Sequence, residues 1–220
     1  MSAPSIASGY QRTRTTLTKE KERAASGSTN RPDKRLAWLL RRGGTASGLA
    51  MDGAGWARIE DVVAVLGIGQ AALADLISAD KTAFDVQGGR VRAHEGHWLR
   101  GVPVVLEALE ASWDVFIPNG SLWYGADPTK LGKIAAHGIS PRNRSHVRLE
   151  TDPENKLLRR SDVLLEISPR RLFGSGLNVF RARNGVVLVR RVPVNTILHT
   201  VPTPASRRHF EAELTALLGS

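Results

Sequence analysis

Apolar residues recur at helical spacing in three short segments early in the chain. Leu36, Leu39 and Leu40 form one stripe behind Pro32 and Asp33, with Trp38 beside it. The run stops at Arg41-Arg42-Gly43-Gly44, basic residues followed by glycine, as at a helix C-terminus. A glycine-rich loop over 45–55 separates it from a second predicted helix, which opens at Trp56 and carries Ile59, Val62, Val63 and Leu66. Gly67 to Gly69 break that helix. A third is predicted over 70–80, with Leu73, Leu76 and Ile77 inward. The period then changes from helical to two. Stretches 83–87 and 90–94 alternate about Gly88-Gly89, a hairpin signal because glycine takes the positive φ of a tight turn. On the return arm Arg90 and Arg92 share one face, Val91 and Ala93 the other. A small polar turn, Glu95-Gly96-His97, follows.

Three short helices and a hairpin are the layout of a winged helix. Beyond it, a connecting stretch over 98–121 predicts one short helix near 104–111. The pattern then becomes mostly β. A strand over 122–125 leads to a helix over 128–137 that Gly138 ends, and a basic loop over 141–145 precedes a strand over 146–150. Stretch 152–159 is a further helix candidate. Strands over 163–167, 178–182, 186–190 and 196–200 complete the lobe. A last helix, from Thr203 or Pro204, carries Phe210, Leu214 and Leu217 on one face. The fold class expected is therefore α+β, in two lobes over 32–100 and 101–202, with a C-terminal helix over 203–220. Residues 1–31, rich in Ser, Thr, Gly, Arg and Lys, lack the apolar surface to offset ordering and predict a disordered basic tail. That tail reads as a solvated leader or a nonspecific nucleic-acid arm; Glu20 and Glu22 weaken a mitochondrial presequence.

The charge sharpens this picture more than the composition does. Of 220 residues, 31 are Lys or Arg against 21 Asp or Glu, a net charge of +10 that favours a polyanionic partner, nucleic acid above all. There is no cysteine, which removes disulfides, thiolate nucleophiles and cysteine-based zinc sites and fits a cytoplasmic setting. The remaining histidines, His94, His137, His199 and His209, show no metal-ligand spacing, so no metal is expected. No apolar run approaches the ~20 residues of a membrane span.

Six motifs, in order, resemble the RNA 2'-phosphotransferase (KptA) family. LAWLLRRGG at 36–44 is similar to its L-x-x-x-L-R-H-x stretch and GWARIEDVV at 55–63 to its G-W-hydrophobic helix start. GGRVRAHEGHW at 88–98, the most specific, is similar to R-I-R-A-x-Q-G-H-S. LWYGA at 122–126 lies at L-Y-H-G-T, RSHVRL at 144–149 at R-x-H-V-H-L, and FRARNGVVLV at 180–189 at Y-x-S-x-N-G-V-x-L-T. The resemblance spans about Lys34 to Pro202. It implies a winged-helix lobe joined to an ADP-ribosyltransferase-like lobe that binds NAD as co-substrate. The implied reaction removes a 2'-phosphate from RNA, tRNA-like in this family, through an ADP-ribosylated RNA, with release of nicotinamide and ADP-ribose cyclic phosphate. A monomer is expected.

The family's essential arginines fall on Arg41, Arg92 and Arg144, each of them arginine here, and its histidine partner falls on Arg42. Tyr124, Gly125, Ala126, His146 and Arg148 occupy NAD-contact positions. Tyr124 replaces the histidine of H-G-T, Ala126 its threonine, Arg148 the second histidine of H-V-H, and Glu95 a glutamine. A guanidinium fork suits a phosphate dianion, so Arg41, Arg92 and Arg144 are expected to form a phosphate clamp. Taken alone, Arg41 and Arg42 read as complements to a helix dipole, and the three clamp arginines as unrelated surface charges. Guanidinium does not shuttle protons near neutral pH, whereas imidazole does. If the family histidine is an acid–base group, Arg42 predicts an intact first step and a slow second; if it only touches phosphate, Arg42 replaces it by charge. His97 and Asn184-Gly185 read as turn-formers. Two other readings compete: a transferase that stops after ADP-ribosylation, or a nucleic-acid-binding homologue without NAD chemistry. A DNA-binding winged-helix regulator ranks last, because it leaves the second lobe without a purpose.

Overall fold

The computed structural model describes residues 31–203. The tail expected over 1–31, Arg31 aside, and the helix expected from Thr203 or Pro204 lie outside the described residues. Helix α1, Pro32–Trp38, begins with proline at its first turn and Asp33 beside the exposed N–H groups. It passes into a single π turn, Leu39–Gly43, which buries Leu39 and Leu40 and carries Arg41 and Arg42. A wider turn changes the direction in which these side chains project, and such turns are frequent at functional sites.

The second helix starts later than its sequence predicts. Asp52 Oδ1 accepts hydrogen bonds from the amides of Ala54 (3.0 Å) and Trp56 (2.9 Å), which holds this stretch out of a helix. Ala57–Arg58 instead form a short strand, β1, and α2 runs from Ile59 to Leu66. Helix α3, Gln70–Ala79, leads to the hairpin of β2, Phe84–Gln87, and β3, Arg90–Ala93, turning on Gly88 (φ 55°) and Gly89 (φ 73°). The antiparallel sheet has the order β1-β3-β2, and its two-residue turn sets Asp85 opposite Arg92. Leu36, Leu39, Leu40, Val62, Leu73 and Val91 form the core beneath it.

Helix α4, Leu106–Ala111, opens the second half, followed by β4, Asp114–Val115, a strand too short to announce itself. Strand β5, Leu122–Ala126, precedes a 3₁₀ turn, Pro128–Lys130, and helix α5, Leu131–His137. Then come β6, Val147–Leu149, β7, Val163–Ile167, helix α6, Pro169–Gly174, β8, Val179–Arg181, β9, Val187–Val189, and β10, Ile197–Pro202. They make two antiparallel sheets, β10-β7-β5 and β4-β8-β9-β6, whose inner faces share one core containing Leu122, Leu165 and Ile167 from the first and Val147, Val179 and Val189 from the second. Two backbone hydrogen bonds between Trp123 and Glu150 (2.8 and 2.9 Å) tie β5 to the end of β6. The far side of the four-stranded sheet packs Phe180 and Leu188 on Leu109 and Trp113.

Two other elements depart from the sequence pattern. Stretch 152–159 holds only a 3₁₀ turn, Leu158–Arg160, because the Asp152 and Asn155 side chains accept hydrogen bonds from amides two residues on and so compete with a helix. Helix α6 went unpredicted although its signals are present: Ser168 caps it through a bond from the Arg171 amide, and Pro169 stands at its first position. No single helix among the described residues is long and apolar enough to cross a membrane.

Candidate active site

Residues 96–99 run between the two halves and bond to both. The Trp98 amide donates to the Arg41 carbonyl (2.9 Å). On the other side the Ser145 amide donates to His97 O (2.8 Å), and the Leu99 amide to Asn143 O (3.0 Å), so that Trp98 and Arg144 pair as an antiparallel bridge. This one segment brings the π turn of the first helix and the basic loop of the second half to a common seam. Gly101 makes the approach possible: at φ +95°, a Cβ there would lie 2.0 Å from the Arg42 carbonyl oxygen.

Arg41, Arg42 and Arg144 meet at the seam. The Arg41 side chain lies against Gly96, its Nε buried without a partner, and the Arg42 guanidinium stacks 4.2 Å above the Trp98 ring. None of the three side chains has a carboxylate or other hydrogen-bond partner among the described residues. Partial burial, then the neighbouring charges of Arg144 and Arg41, lower the pKa of Arg42 from its ordinary value. This is cationic charge concentrated without a counter-ion.

Arg92 sits differently. It is 2% exposed, inside the hairpin sheet. Its Nη1 donates to Ser112 Oγ (2.6 Å) and Ala54 O (3.4 Å), its Nη2 to Asp85 Oδ2 (3.3 Å), and its guanidinium lies 4.5 Å over the Trp56 ring. Only Nε lacks a partner. Asp85 also receives Arg183 from the second half (3.2 Å), and Asn184 Nδ2 donates to Thr82 O (2.8 Å), so the Asn184-Gly185 turn fastens the second half of the chain to the first. His97 lies between Arg92 and the seam, fully buried, with neither ring nitrogen bonded. Burial, followed by the charges of Arg41, Arg92 and His146, pushes its pKa down to about 3.

A cleft of about 260 Å³ adjoins the seam, lined among others by Tyr124, Lys130, Arg142, Arg144, His146 and Arg148. Strand alternation explains the membership: on β6, Val147 and Leu149 point into the core, so His146 and Arg148 face the other way. Arg144 belongs to both the cleft and the cationic cluster. Arg148 Nε donates to Glu150 Oε1 (2.9 Å), which Asn155 braces through Oε2 (2.9 Å). Of the expected NAD-contact positions, Gly125 and Ala126 are not in this lining. The place of a Gly125 Cβ is filled by Ser161, whose Oγ would be 2.1 Å away, and Ala126 is part of the core.

Behind the cleft wall His146 meets an acid from α4. Its Nε2 lies 3.0 Å from Glu110 Oε1, while Arg190 grips both oxygens of Glu110 and reaches Glu107. Burial opposes the charge on Glu110, but the hydrogen bonds from Arg190 and His146 outweigh it, and its pKa stays below the ordinary carboxylate value. Burial lowers the pKa of His146 in spite of Glu110. The ring stands edge-on to Trp113 and Phe180, and its Nδ1 is buried with no partner.

Sequence reasoning passed over Glu110 and Arg190, which are 80 residues apart and meet only through the packing of α4 on the sheet. The Asp85–Arg92 pair did carry a signal, because a two-residue turn at Gly88-Gly89 dictates that these residues lie opposite. Among the described residues no group of three or more His, Asp or Glu is arranged to hold a metal ion.

Known proteins of similar sequence identify the family. "Probable RNA 2'-phosphotransferase" of Pseudomonas paraeruginosa is 34% identical over 174 residues, 74% of this chain and 92% of the relative. The protein of the same name from Burkholderia lata is 32% identical over 188 residues, 80% of this chain and 93% of the relative. That of Rhizobium johnstonii is 26% identical over 181 residues, 78% and 94%. Residues 28–191 match the family described as RNA 2'-phosphotransferase, Tpt1 / KptA family, and the chain belongs to that family.

Proposed function

We propose that this chain removes a 2'-phosphate from RNA in an NAD-dependent reaction, giving 2'-hydroxyl RNA, nicotinamide and ADP-ribose cyclic phosphate through an ADP-ribosylated RNA. In this reading residues 32–100 are a winged-helix lobe and 101–202 an ADP-ribosyltransferase-like lobe, in a cytoplasmic monomer acting on a tRNA-like substrate. The observation that carries it is the set of guanidiniums at the seam, Arg41, Arg42 and Arg144, unneutralised by any carboxylate among the described residues and continuous with the cleft beside Tyr124.

The cleft residues fit a dinucleotide's pyrophosphate: Lys130, Arg142, Arg144 and Arg148 supply cations, and the Tyr124 ring offers a stacking face. At about 260 Å³ the cleft is below the ~300–1,000 Å³ of most ligand pockets, so it houses part of such a molecule. When bound, NAD supplies an electrophilic ribose carbon with nicotinamide as its leaving group. Arg41 and Arg144 hold the RNA phosphate from two sides, and Arg42, 4.2 Å over Trp98, adds positive charge where negative charge develops. Arg92 completes the clamp from behind, fixing the hairpin from which residues 96–99 emerge and adding its field to the seam.

Arg42 favours a second reading, a transferase that halts after the first step, since its guanidinium transfers no proton near neutral pH. A time course with NAD and a 2'-phosphorylated oligonucleotide tests both. Nicotinamide release that depends on the phosphate, followed by 2'-hydroxyl product, is the expected result. A stable ADP-ribosylated RNA would establish the second reading. No phosphate-dependent nicotinamide release would overturn both.

A further inference from the structure

Arg42 stands where the motif that 36–44 resembles has histidine, and Trp98 stands where the motif R-I-R-A-x-Q-G-H-S ends in serine. The two departures touch, the Arg42 guanidinium lying 4.2 Å over the Trp98 ring. Arg42 is exposed, and the charges of Arg144 and Arg41 repel it. A long side chain so placed gains rotamer freedom and electrostatic relief by turning out into solvent. The indole face opposes that, because it attracts the cation and holds the guanidinium against itself. The N–H donors of a guanidinium lie in its own plane, so a ring on one face leaves them free for an anion at the edge.

Trp98 reaches the other two arginines through its backbone. Its amide donates to the Arg41 carbonyl (2.9 Å), and it pairs with Arg144 as an antiparallel bridge. The close approach of Gly101 to the Arg42 carbonyl fixes the backbone of the residue that the ring holds. The indole Nε1 is buried with no partner. An enclosed donor of this kind is costly, so the ring keeps its place through its contacts and not through a hydrogen bond of its own.

We propose that Trp98 is the positioning residue of the phosphate site: its ring presents Arg42 to the RNA 2'-phosphate, and its backbone holds Arg41 and Arg144 beside it. The inference rests on the part of the reading above that makes the seam a phosphate site. Trp98 touches no substrate in this role. It turns an exposed, mobile charge into a preorganised one, and a fixed guanidinium then stands in the place of the motif's imidazole.

The test is equilibrium binding to the full chain, without NAD, of an RNA oligonucleotide carrying one internal 2'-phosphate and of the same RNA with a 2'-hydroxyl there. The ratio of the two affinities reads the phosphate site alone, since contacts to the RNA backbone are common to both. Trp98→Leu keeps an apolar side chain without a π face, and Trp98→Phe keeps the face. Trp98→Leu is expected to lower the ratio about three- to tenfold, the range of a cation–π contact, and Trp98→Phe less than about twofold. In an Arg42→Ala background Trp98→Leu should add less than about twofold, because the ring then has no guanidinium to hold. An unchanged ratio in Trp98→Leu, equal losses in Trp98→Leu and Trp98→Phe, or an undiminished effect of Trp98→Leu in the Arg42→Ala background overturns the proposal. Should Trp98→Leu fail to fold, Arg42→Lys decides: it keeps the charge and loses the stacked plane, and is expected to lower the ratio about threefold or more. A parent-like ratio in Arg42→Lys overturns the proposal. Nicotinamide release from NAD and the phosphorylated RNA keeps the two readings apart. A chain that distinguishes the phosphate through Trp98 yet releases no nicotinamide overturns the phosphotransferase reading and supports this one. A chain that releases nicotinamide while its ratio is indifferent to Trp98 overturns this one alone.

Discussion

Arg92 and Arg144 are the same residue type in the same strongly basic chain, yet they stand in opposite surroundings. Arg92 is enclosed by Asp85, Ser112 and the Trp56 ring, its charge paired with Asp85, which Arg183 shares. Arg144 is exposed beside Arg42 with no acid paired to it among the described residues, and Arg41 approaches the same seam. Charges of one sign held close repel unless an anion joins them. The folded chain tolerates that repulsion at one place only because backbone bonds from residues 96–99 fix the three segments there. The comparison separates arginines that build the site from arginines that meet the substrate, a distinction that the motif resemblance alone does not make.

The largest effect expected on the enclosed side is on stability. Arg92→Ala leaves Asp85, 6% exposed, with only the half-exposed Arg183, and should destabilise the protein by about 3–5 kcal/mol in urea unfolding. Asp85→Ala combined with Arg92→Ala should cost less than the sum of the single changes. A fully stable but inactive Arg92→Ala protein would move Arg92 into the substrate-contacting group and erase the contrast. On the open side, Arg144→Ala and Arg41→Ala should each lower kcat/KM about 10²–10³-fold, the scale for removing one preorganised donor from a developing charge. Their unfolding free energies should stay within ~0.5 kcal/mol of the parent's, because no bond in the folded state is lost.

How far the sequence revealed these two classes depends on the distance over which each contact is made. The hairpin was readable because Gly88-Gly89 and the alternation about it are local, and its register placed Asp85 against Arg92. Strand β1 was hidden because two residues, Ala57 and Arg58, become a strand only by pairing with β3, more than 30 residues on. The π turn at Leu39–Gly43 has no periodic signature distinct from an α-turn, so the helix was visible and its last turn was not. Arg41 and Arg144 were named from motifs. Their convergence depends on hydrogen bonds from Trp98 and Ser145, which no spacing within either motif encodes. Helix α6 was legible in Ser168-Pro169 and simply went unread.

His97 lies between the enclosed and the open arginines, and its burial beside them makes stability depend on pH. Its folded pKa, about 3, is below the ordinary 6.5, so the unfolded chain binds the extra proton between these values. Its contribution to stability is complete above pH 6.5 and is lost as pH falls toward 3. Between pH 7 and pH 5 the loss should be about 2 kcal/mol, from ~1.4 kcal/mol per unit over the ~1.5 units below 6.5. Urea unfolding at the two pH values measures it, and His97→Leu should flatten the difference. An equally steep profile in that variant would place the sensitivity elsewhere.

The smallest expected effect concerns how the two groups of arginines are kept in register. Asn184 both closes its own turn, by accepting from the Val186 amide, and donates across to Thr82 in the first half of the chain (2.8 Å). Asn184→Ala removes both bonds, each worth about 0.5–1 kcal/mol, and unfolding should shift by about 1–2 kcal/mol. The informative readout is activity. Arg41 and Arg144 come from different halves of the chain, so a looser junction should weaken substrate binding, raising KM several-fold with kcat nearly unchanged, whereas the enclosed Arg92 keeps its own partners and is indifferent. Loss of kcat at constant KM would mean that Asn184 touches the reacting groups. Thr82 offers Asn184 only its backbone carbonyl, while its hydroxyl donates to Asp80 (2.7 Å), so Thr82→Ser, which keeps that hydroxyl, should be silent, and silence there beside an effect at Asn184 would assign the coupling to the Asn184 side chain.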